Sequence, residues 1–195
     1  MVADVRPQPV TGESLRSLGE GVHAIVLAGG CFWGVDDRLR HLPGVLGTAA
    51  GYAGGHTPDP TYEQVCRGHT GYAESVLVVF DPRVLPLERV LAAFWEMHDP
   101  TQGMRQGNDI GSQYRSAIYT ADECDARLAR QTMEVYQHAL TRAGESAPIT
   151  TEIGELAETG DGRFHFAEDH HQQYLVKHPA GYRCDGTTGV SYPTT

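Results

Sequence analysis

The order of apolar runs along this 195-residue chain predicts an α+β fold, a two-layer sandwich whose mixed central sheet is flanked by helices. Two observations carry that prediction. Strand-like and helix-like spacings alternate through the first half of the chain and mix in the second. The run Ala73–Phe80 places apolar residues on both of its faces, as a strand buried in the middle of a sheet does. The length suits one domain with a sizeable core. The expected organisation is a flexible arm over residues 1–20 and a single domain over 21–195, whose last part, 179–195, is an irregular tail.

The elements follow in order. Pro7, Pro9 and Gly12 with little periodicity make the arm. Residues 22–28 read as a buried strand. Val35, Leu39 and Leu42 then recur at helical spacing and give a helix over 32–42, stopped by Pro43 and Gly44. Residues 45–50 form a second strand that opens into the loop 51–60, and a short turn with Tyr62 and Cys66 follows. After the central strand come Asp81 and Pro82. Leu87, Val90, Leu91, Phe94 and Trp95 mark an amphipathic helix that ends at Asp99 and Pro100. The long loop 99–113 reaches a strand around 116–119, and a loop of that length in a compact domain is more often functional than idle.

Residues 120–123 read as a capping box. The helix behind it presents Cys124, Leu128, Thr132, Val135 and Leu140 on one side, which makes Cys124 core-facing, and stops at Gly144. A strand at 149–153, a short helix over 168–177 and a tail rich in Gly, Pro and Thr complete the chain. Together these elements are expected to enclose a ferredoxin-like core.

Composition narrows the function. Fifteen basic residues against twenty-five acidic ones give a charge of −10, which opposes binding to nucleic acid through phosphate neutralisation. No apolar stretch is long enough for a membrane helix. The first twenty residues are polar and contain Glu13 and Glu20, so they read as neither a secretory nor a transit signal, and the expected location is the cytoplasm. Four scattered cysteines without a C-x-x-C pair signal neither a disulfide framework nor a paired-cysteine zinc site. The stretch 165–171, rich in histidine, lacks metal-ligand spacing and reads as a solvated helix face. Glycines gather at 29–34, 51–55 and 103–111, as if several loops converged on one place.

The chemistry centres on residues 27–34, where Cys31 stands at a strand-to-helix turn between two glycines and two aromatics. Unpaired N–H groups at a helix start favour thiolate over thiol, so this cysteine is expected to be reactive; otherwise it is a small core residue. Glu74 lies at the start of the most apolar strand, where desolvation keeps a carboxyl protonated and makes it a general acid, unless it faces water. Tyr62 and Tyr114 flank the polar loops and are either hydrogen-bond donors or packing aromatics. Phe32 and Trp33 either wall an apolar pocket beside the sulfur or pack the helix start. Cys184, in the tail, either reaches an oxidised cysteine to form a disulfide or is incidental.

These parts resemble the A-type peptide methionine sulfoxide reductases. Gly30-Cys31-Phe32-Trp33-Gly34 is similar to the family signature. The resemblance continues through Gly51-Tyr52-Ala53-Gly54-Gly55, Thr61-Tyr62, Gly71-Tyr72-Ala73-Glu74, Gln106-Gly107-Asn108-Asp109 with Gln113-Tyr114-Arg115-Ser116, and Ala167-Glu168-Asp169 with His171-Gln172-Gln173-Tyr174-Leu175. It covers about residues 23–183. By this resemblance Cys31 would attack the sulfur of methionine-S-sulfoxide, free or in proteins. Phe32 and Trp33 would hold the methyl group, and Glu74 would protonate the oxygen with help from Tyr62 and Tyr114. Asp109 would bind substrate or ordered water. The resulting sulfenic acid would condense with Cys184, and thioredoxin or a dithiol would reduce the disulfide with no resident cofactor or metal. The implied partners are thioredoxin and oxidised proteins, with no nucleic acid or membrane, around a monomer.

Two departures bear on recycling. Ser191 stands where some members carry a further distal cysteine, which implies a one-step relay. Cys184 comes one residue later than in some members, which leaves Cys66 as a rival resolving thiol. The competing readings are a thiol peroxidase, which usually pairs its thiolate with an arginine absent beside Cys31 in sequence, and a sulfoxide- or metal-binding module. Such a module needs neither Glu74 nor Cys184.

Overall fold

The computed structural model describes residues 7–184 and 186–193. Its strands are β1 (Val10–Thr11), β2 (His23–Gly29), β3 (Val45–Ala53), β4 (Ala73–Phe80), β5 (Arg105–Gln106), β6 (Asp109–Ile110), β7 (Ser116–Thr120), β8 (Glu152–Glu155) and β9 (Arg163–Phe166). Its α-helices are α1 (Gly12–Arg16), α2 (Phe32–Leu39), α3 (Tyr62–Cys66), α4 (Leu87–Met97), α5 (Glu123–Arg142) and α6 (Tyr174–Lys177). Seven strands make one sheet in the order β1-β9-β3-β4-β2-β7-β8, and β5 with β6 forms a separate hairpin. Every pairing in the large sheet is antiparallel except β7 with β8, so the sheet is mixed and the fold is α+β as expected.

The centre of the sheet follows from β4. Val76, Val78 and Phe80 join Ile25 and Leu27 in an apolar cluster completed by Val35, Leu39, Leu91, Phe94, Trp95 and Tyr136 from α2, α4 and α5. On the opposite face Ala73 and Leu77 meet Ala24, Val26, Ala28, Tyr119 and Leu156. A strand buried on both faces reads as a largely apolar run, and the one ionisable side chain carried into β4 is Glu74. Trp95 is fully buried with its indole N–H satisfied by Thr132 Oγ1 at 3.0 Å, joining α4 to α5.

Several elements depart from the sequence expectation, each for a local reason. Residues 10–16, expected within a loose arm, hold β1 and α1. Val10 pairs with Phe164, and Leu15 is buried, an anchorage too short to give a readable period. Strand β3 continues through Gly51, Tyr52 and Ala53, which were expected to open a loop. A Cβ at Gly51 would lie 2.3 Å from the Phe164 ring, so that glycine marks close strand packing and not a turn. Residues 62–66, expected as a turn, form α3 with a capping box between Thr61 and Gln64. The loop 99–113 contains the β5–β6 hairpin.

Helix α5 is capped by Asp122, which accepts from the Asp125 amide at 3.1 Å, and not by Thr120. Its inward stripe is Ala126, Ala129, Thr132, Tyr136, Ala139 and Leu140. Cys124 and Val135 are therefore exposed, contrary to the core-facing expectation. The helix expected over 168–177 shrinks to α6. Gln173 is left-handed (φ 49°), and the Gln172 side chain bonds Ala50 N and Ala50 O, each at 2.8 Å, in place of a strand partner.

Candidate active site

Cys31 stands between β2 and α2 as the N-cap residue of α2, and is 8% exposed. Gly30 makes that junction possible. Its φ is +100°, and a Cβ there would lie 2.7 Å from Gln106 Cγ, so conformation and space both demand glycine. The backbone amides of Trp33 and Gly34 point at the sulfur and lower its pKa. Burial raises it by more, and the nearby Glu74 and Asp109 carboxyls add to the rise. The resting group is a thiol, which corrects the expectation of a thiolate at a helix start. Two amide dipoles do not outweigh the loss of water around an anion.

The first amide of α2 is spent elsewhere. Phe32 N–H donates to Glu74 Oε2 at 3.0 Å, tying the helix start to the carboxyl on β4. Glu74 is 1% exposed. Desolvation, with a contribution from Asp109, pushes its pKa up to about 8 against the opposing Phe32 hydrogen bond. A proton sits on this carboxyl at neutral pH, as expected from sequence.

Tyr62 opens α3 and Tyr114 closes the 3₁₀ turn Ser112–Tyr114. Both phenols are pushed above their ordinary range, first by burial and then by Glu74. The Tyr62 hydroxyl is hydrogen-bonded to Cys66. Cys66 therefore lies among the tyrosines and Glu74. Glu168 fixes the start of α3, taking the Tyr62 amide at 3.0 Å on one oxygen and the Tyr52 hydroxyl at 2.8 Å on the other.

An aromatic wall adjoins these groups. Phe32 is fully buried among Trp33, Tyr52, Tyr62 and His171, so Trp33 supplies the partly open surface. Trp33 stacks on Tyr174 at 3.8 Å and donates its indole N–H to His171 Nδ1 at 3.1 Å. Burial lowers the His171 pKa to about 4, so the ring is neutral and its proton is on Nε2. The stretch expected as a solvated helix face instead contributes two buried rings. His171 orients Trp33, and His165 bonds Asp161 at 2.7 Å and the Tyr72 hydroxyl at 3.2 Å.

On the other side of Cys31 lie the β5–β6 hairpin and the tail. Asp109 accepts from the Tyr182 hydroxyl at 3.1 Å. The Cys184 thiol, half-buried, donates to Gln106 O at 3.2 Å. A cavity of about 10 Å³ is bounded by both Cys31 and Cys184, with Gly29, Gly34, Val35, Arg38 and Met97. That space holds at most one water. Both sulfurs are free thiols.

The structure thus brings together all eight residues singled out from sequence: Cys31, Phe32, Trp33, Glu74 and the two tyrosines on one side, with Asp109 and Cys184 on the other. Sequence reasoning did not single out Gln106, Glu168, His171 or Tyr182. The first three lie inside quoted motifs, and the only signal for them was that position.

Comparison with known proteins follows this geometry. The profile of the family "Peptide methionine sulfoxide reductase" matches residues 23–190. The chain is 53% identical over 185 residues to peptide methionine sulfoxide reductase MsrA 1 of Caulobacter vibrioides, covering 94% of this chain and 82% of that one. Among solved structures it is similar to methionine sulfoxide reductase A of Corynebacterium diphtheriae, with a TM-score of 0.81 and 43% identity over 98% of this chain and 95% of that one. Mxr1 from Saccharomyces cerevisiae, solved in complex with Trx2, shares the fold at a TM-score of 0.50 and 21% identity, over 82% and 91% of the two chains.

Proposed function

This chain belongs to the peptide methionine sulfoxide reductase family and reduces methionine sulfoxide, and from that premise we propose how its residues divide the work. Cys31 is the nucleophile and attacks the sulfur of methionine-S-sulfoxide, whether the methionine is free or part of an oxidised protein. Glu74, protonated at neutral pH, delivers its proton to the departing oxygen. The Cys31 thiol proton replaces it, so the carboxyl ends the step as it began. The Tyr62 and Tyr114 hydroxyls donate to the same oxygen as its charge grows. Trp33, backed by Phe32, packs the methyl group, and Asp109 binds the polar part of the substrate.

The protonated oxygen then passes from the substrate sulfur to Cys31. The substrate S–O bond and the bond between the two sulfurs break, and a Cys31 S–O bond forms. Methionine leaves as the thioether, and Cys31 is left as a sulfenic acid. The Cys184 thiol then attacks that sulfur. The S–O bond breaks, an S–S bond forms, and the proton from Cys184 leaves with the oxygen as water. Thioredoxin returns two electrons and two protons, as the capture of Mxr1 with Trx2 suggests for a relative. No resident cofactor or metal takes part. We read the unit β2–α2–β3–β4–α4–β7 as a ferredoxin-like core that sets Glu74 on the strand beside β2, just past whose end Cys31 stands. We place the enzyme in the cytoplasm as a monomer; among the described residues no helix is long and apolar enough to cross a membrane.

The observation that carries this reading is Glu74, buried on β4 and bonded to the amide that follows Cys31. The test is turnover of the separated sulfoxide epimers by wild type and Cys31→Ser. The S epimer alone should be consumed, and the variant should form no methionine. Retained activity in Cys31→Ser would overturn the assignment.

A further inference from the structure

The thiol expected to close the cycle sits on a segment with no helix or strand to hold it, and the means by which it is held is informative. Beyond it the tail is anchored to α4 and α5. The Tyr136 hydroxyl donates to Val190 O at 2.9 Å, and Tyr192 N–H donates to Glu96 Oε1 at 2.6 Å. Before it, Gly181 N–H closes a turn onto His178 O at 2.8 Å. Between these anchors two side chains reach outward from residues 182–184. The Arg183 guanidinium is bonded to Asp37 Oδ2, and the Tyr182 hydroxyl is bonded to Asp109 Oδ1.

Asp37 is on α2, the helix that begins at Cys31, so the ion pair ties the tail to the element that carries the nucleophile. Arg40 occupies the other Asp37 oxygen at 2.5 Å, and the two guanidiniums hold that carboxyl below the usual range despite its partial burial, so it is ionised at working pH. A Cβ at Gly107 would lie 3.3 Å from Cys184 Sγ, so that glycine leaves the thiol its room.

We propose that Arg183 on Asp37 and Tyr182 on Asp109 form a two-point clasp that holds the Cys184 thiol beside Cys31, making Arg183 and Tyr182 positioning residues for disulfide formation. The proposal rests on the reading that Cys184 resolves the Cys31 sulfenic acid. What the clasp supplies is effective concentration: a thiol kept close to the oxidised sulfur reacts in preference to any external one. Arg183 directly precedes Cys184, so the ion pair fixes the chain one residue from the thiol.

The pair is partly exposed, with side-chain exposures of 41% for Arg183 and 15% for Asp37, so each contact is of moderate strength and sensitive to salt. The experiment is a single turnover on one equivalent of methionine-S-sulfoxide with graded dimedone, a trap for sulfenic acids. The readout is the dimedone concentration that captures half of Cys31 before Cys184 does. Arg183→Ala and Tyr182→Phe should each lower that concentration about two- to fivefold, and the double variant about tenfold. Arg183→Lys should restore part of it. Added salt should lower it in wild type and leave Arg183→Ala unmoved. Methionine release should keep its wild-type rate in Arg183→Ala.

Unchanged partition in the double variant, or equal salt sensitivity with and without Arg183, would overturn the clasp. If wild type itself formed methionine but no Cys31–Cys184 disulfide, the recycling reading would be at fault instead.

Discussion

The two sides of Cys31 differ in what carries their side chains. On one side Glu74 stands on β4 in the middle of the sheet, the Phe32 amide comes from the start of α2, and Tyr62 from the capped start of α3. Glu74 is closed off from water, and its environment fixes its protonation. On the other side Asp109 and Gln106 stand on a two-residue-per-strand hairpin, and Cys184 on an irregular segment held by an ion pair and a phenol. Proton transfer to a sulfoxide depends on rigid placement in a dry site, which regular structure provides. Resolution needs a thiol that approaches Cys31 and later leaves it open to a reductant, which a segment with few anchors allows.

Replacing a residue on each side should therefore fail differently. Cys184→Ser should lose thioredoxin-driven cycling altogether while still releasing one equivalent of methionine per enzyme. Sustained cycling, measured as methionine formed per enzyme with thioredoxin, would move resolution to Cys66 and dissolve the contrast. Glu74→Gln should slow the first methionine release about 10²- to 10⁴-fold, read by rapid quench without reductant. An unchanged rate would mean that the proton reaches the oxygen through a tyrosine.

The same substitution should stabilise the fold. The folded pKa of Glu74, about 8, lies above its ordinary value of 4.5, so the pH-dependent cost of burying this acid is absent below pH 4.5. Stability is lost as the pH rises from there towards 8, amounting to about 3 kcal/mol at pH 7. Glu74→Gln should raise the urea midpoint more at pH 8 than at pH 5, and a gain independent of pH would remove desolvation as the cause. The smallest effect is expected at Tyr62→Phe, about a tenfold loss in the rate of methionine release with cycling otherwise intact. A loss confined to recycling would place Tyr62 on the wrong side of the comparison.

Legibility in the sequence follows the same division. Strand β4 is readable to the residue because burial on both faces leaves a dense apolar run. Glu74 is readable because a carboxyl interrupts that run. The N-terminal segment 10–16 and β9 were illegible, since each is held by one or two distant partners and not by its own period, and of the helix expected over 168–177 only the end forms, as α6. Cys124 was misread because the face of α5 that packs inward runs through small residues and Tyr136, which an apolar period does not pick out, and that face passes the cysteine by. His171 gave no usable signal, since only the fold brings it to Trp33, 138 positions earlier in the chain.

The sequence by itself determined the α+β class and the central strand, because local pattern sets those. It marked Cys31 and Glu74 as candidates by residue type and position, and the roles proposed for them and for the tyrosines came from the family resemblance. The tertiary structure alone decided the protonation of Cys31 and the approach of the second thiol. Burial outweighs the helix start and makes Cys31 a resting thiol. Contacts across the chain, Asp37 with Arg183 and Asp109 with Tyr182, bring Cys184 to the same small cavity. Desolvation and long-range pairing depend on what surrounds a group in space, and a linear pattern carries neither.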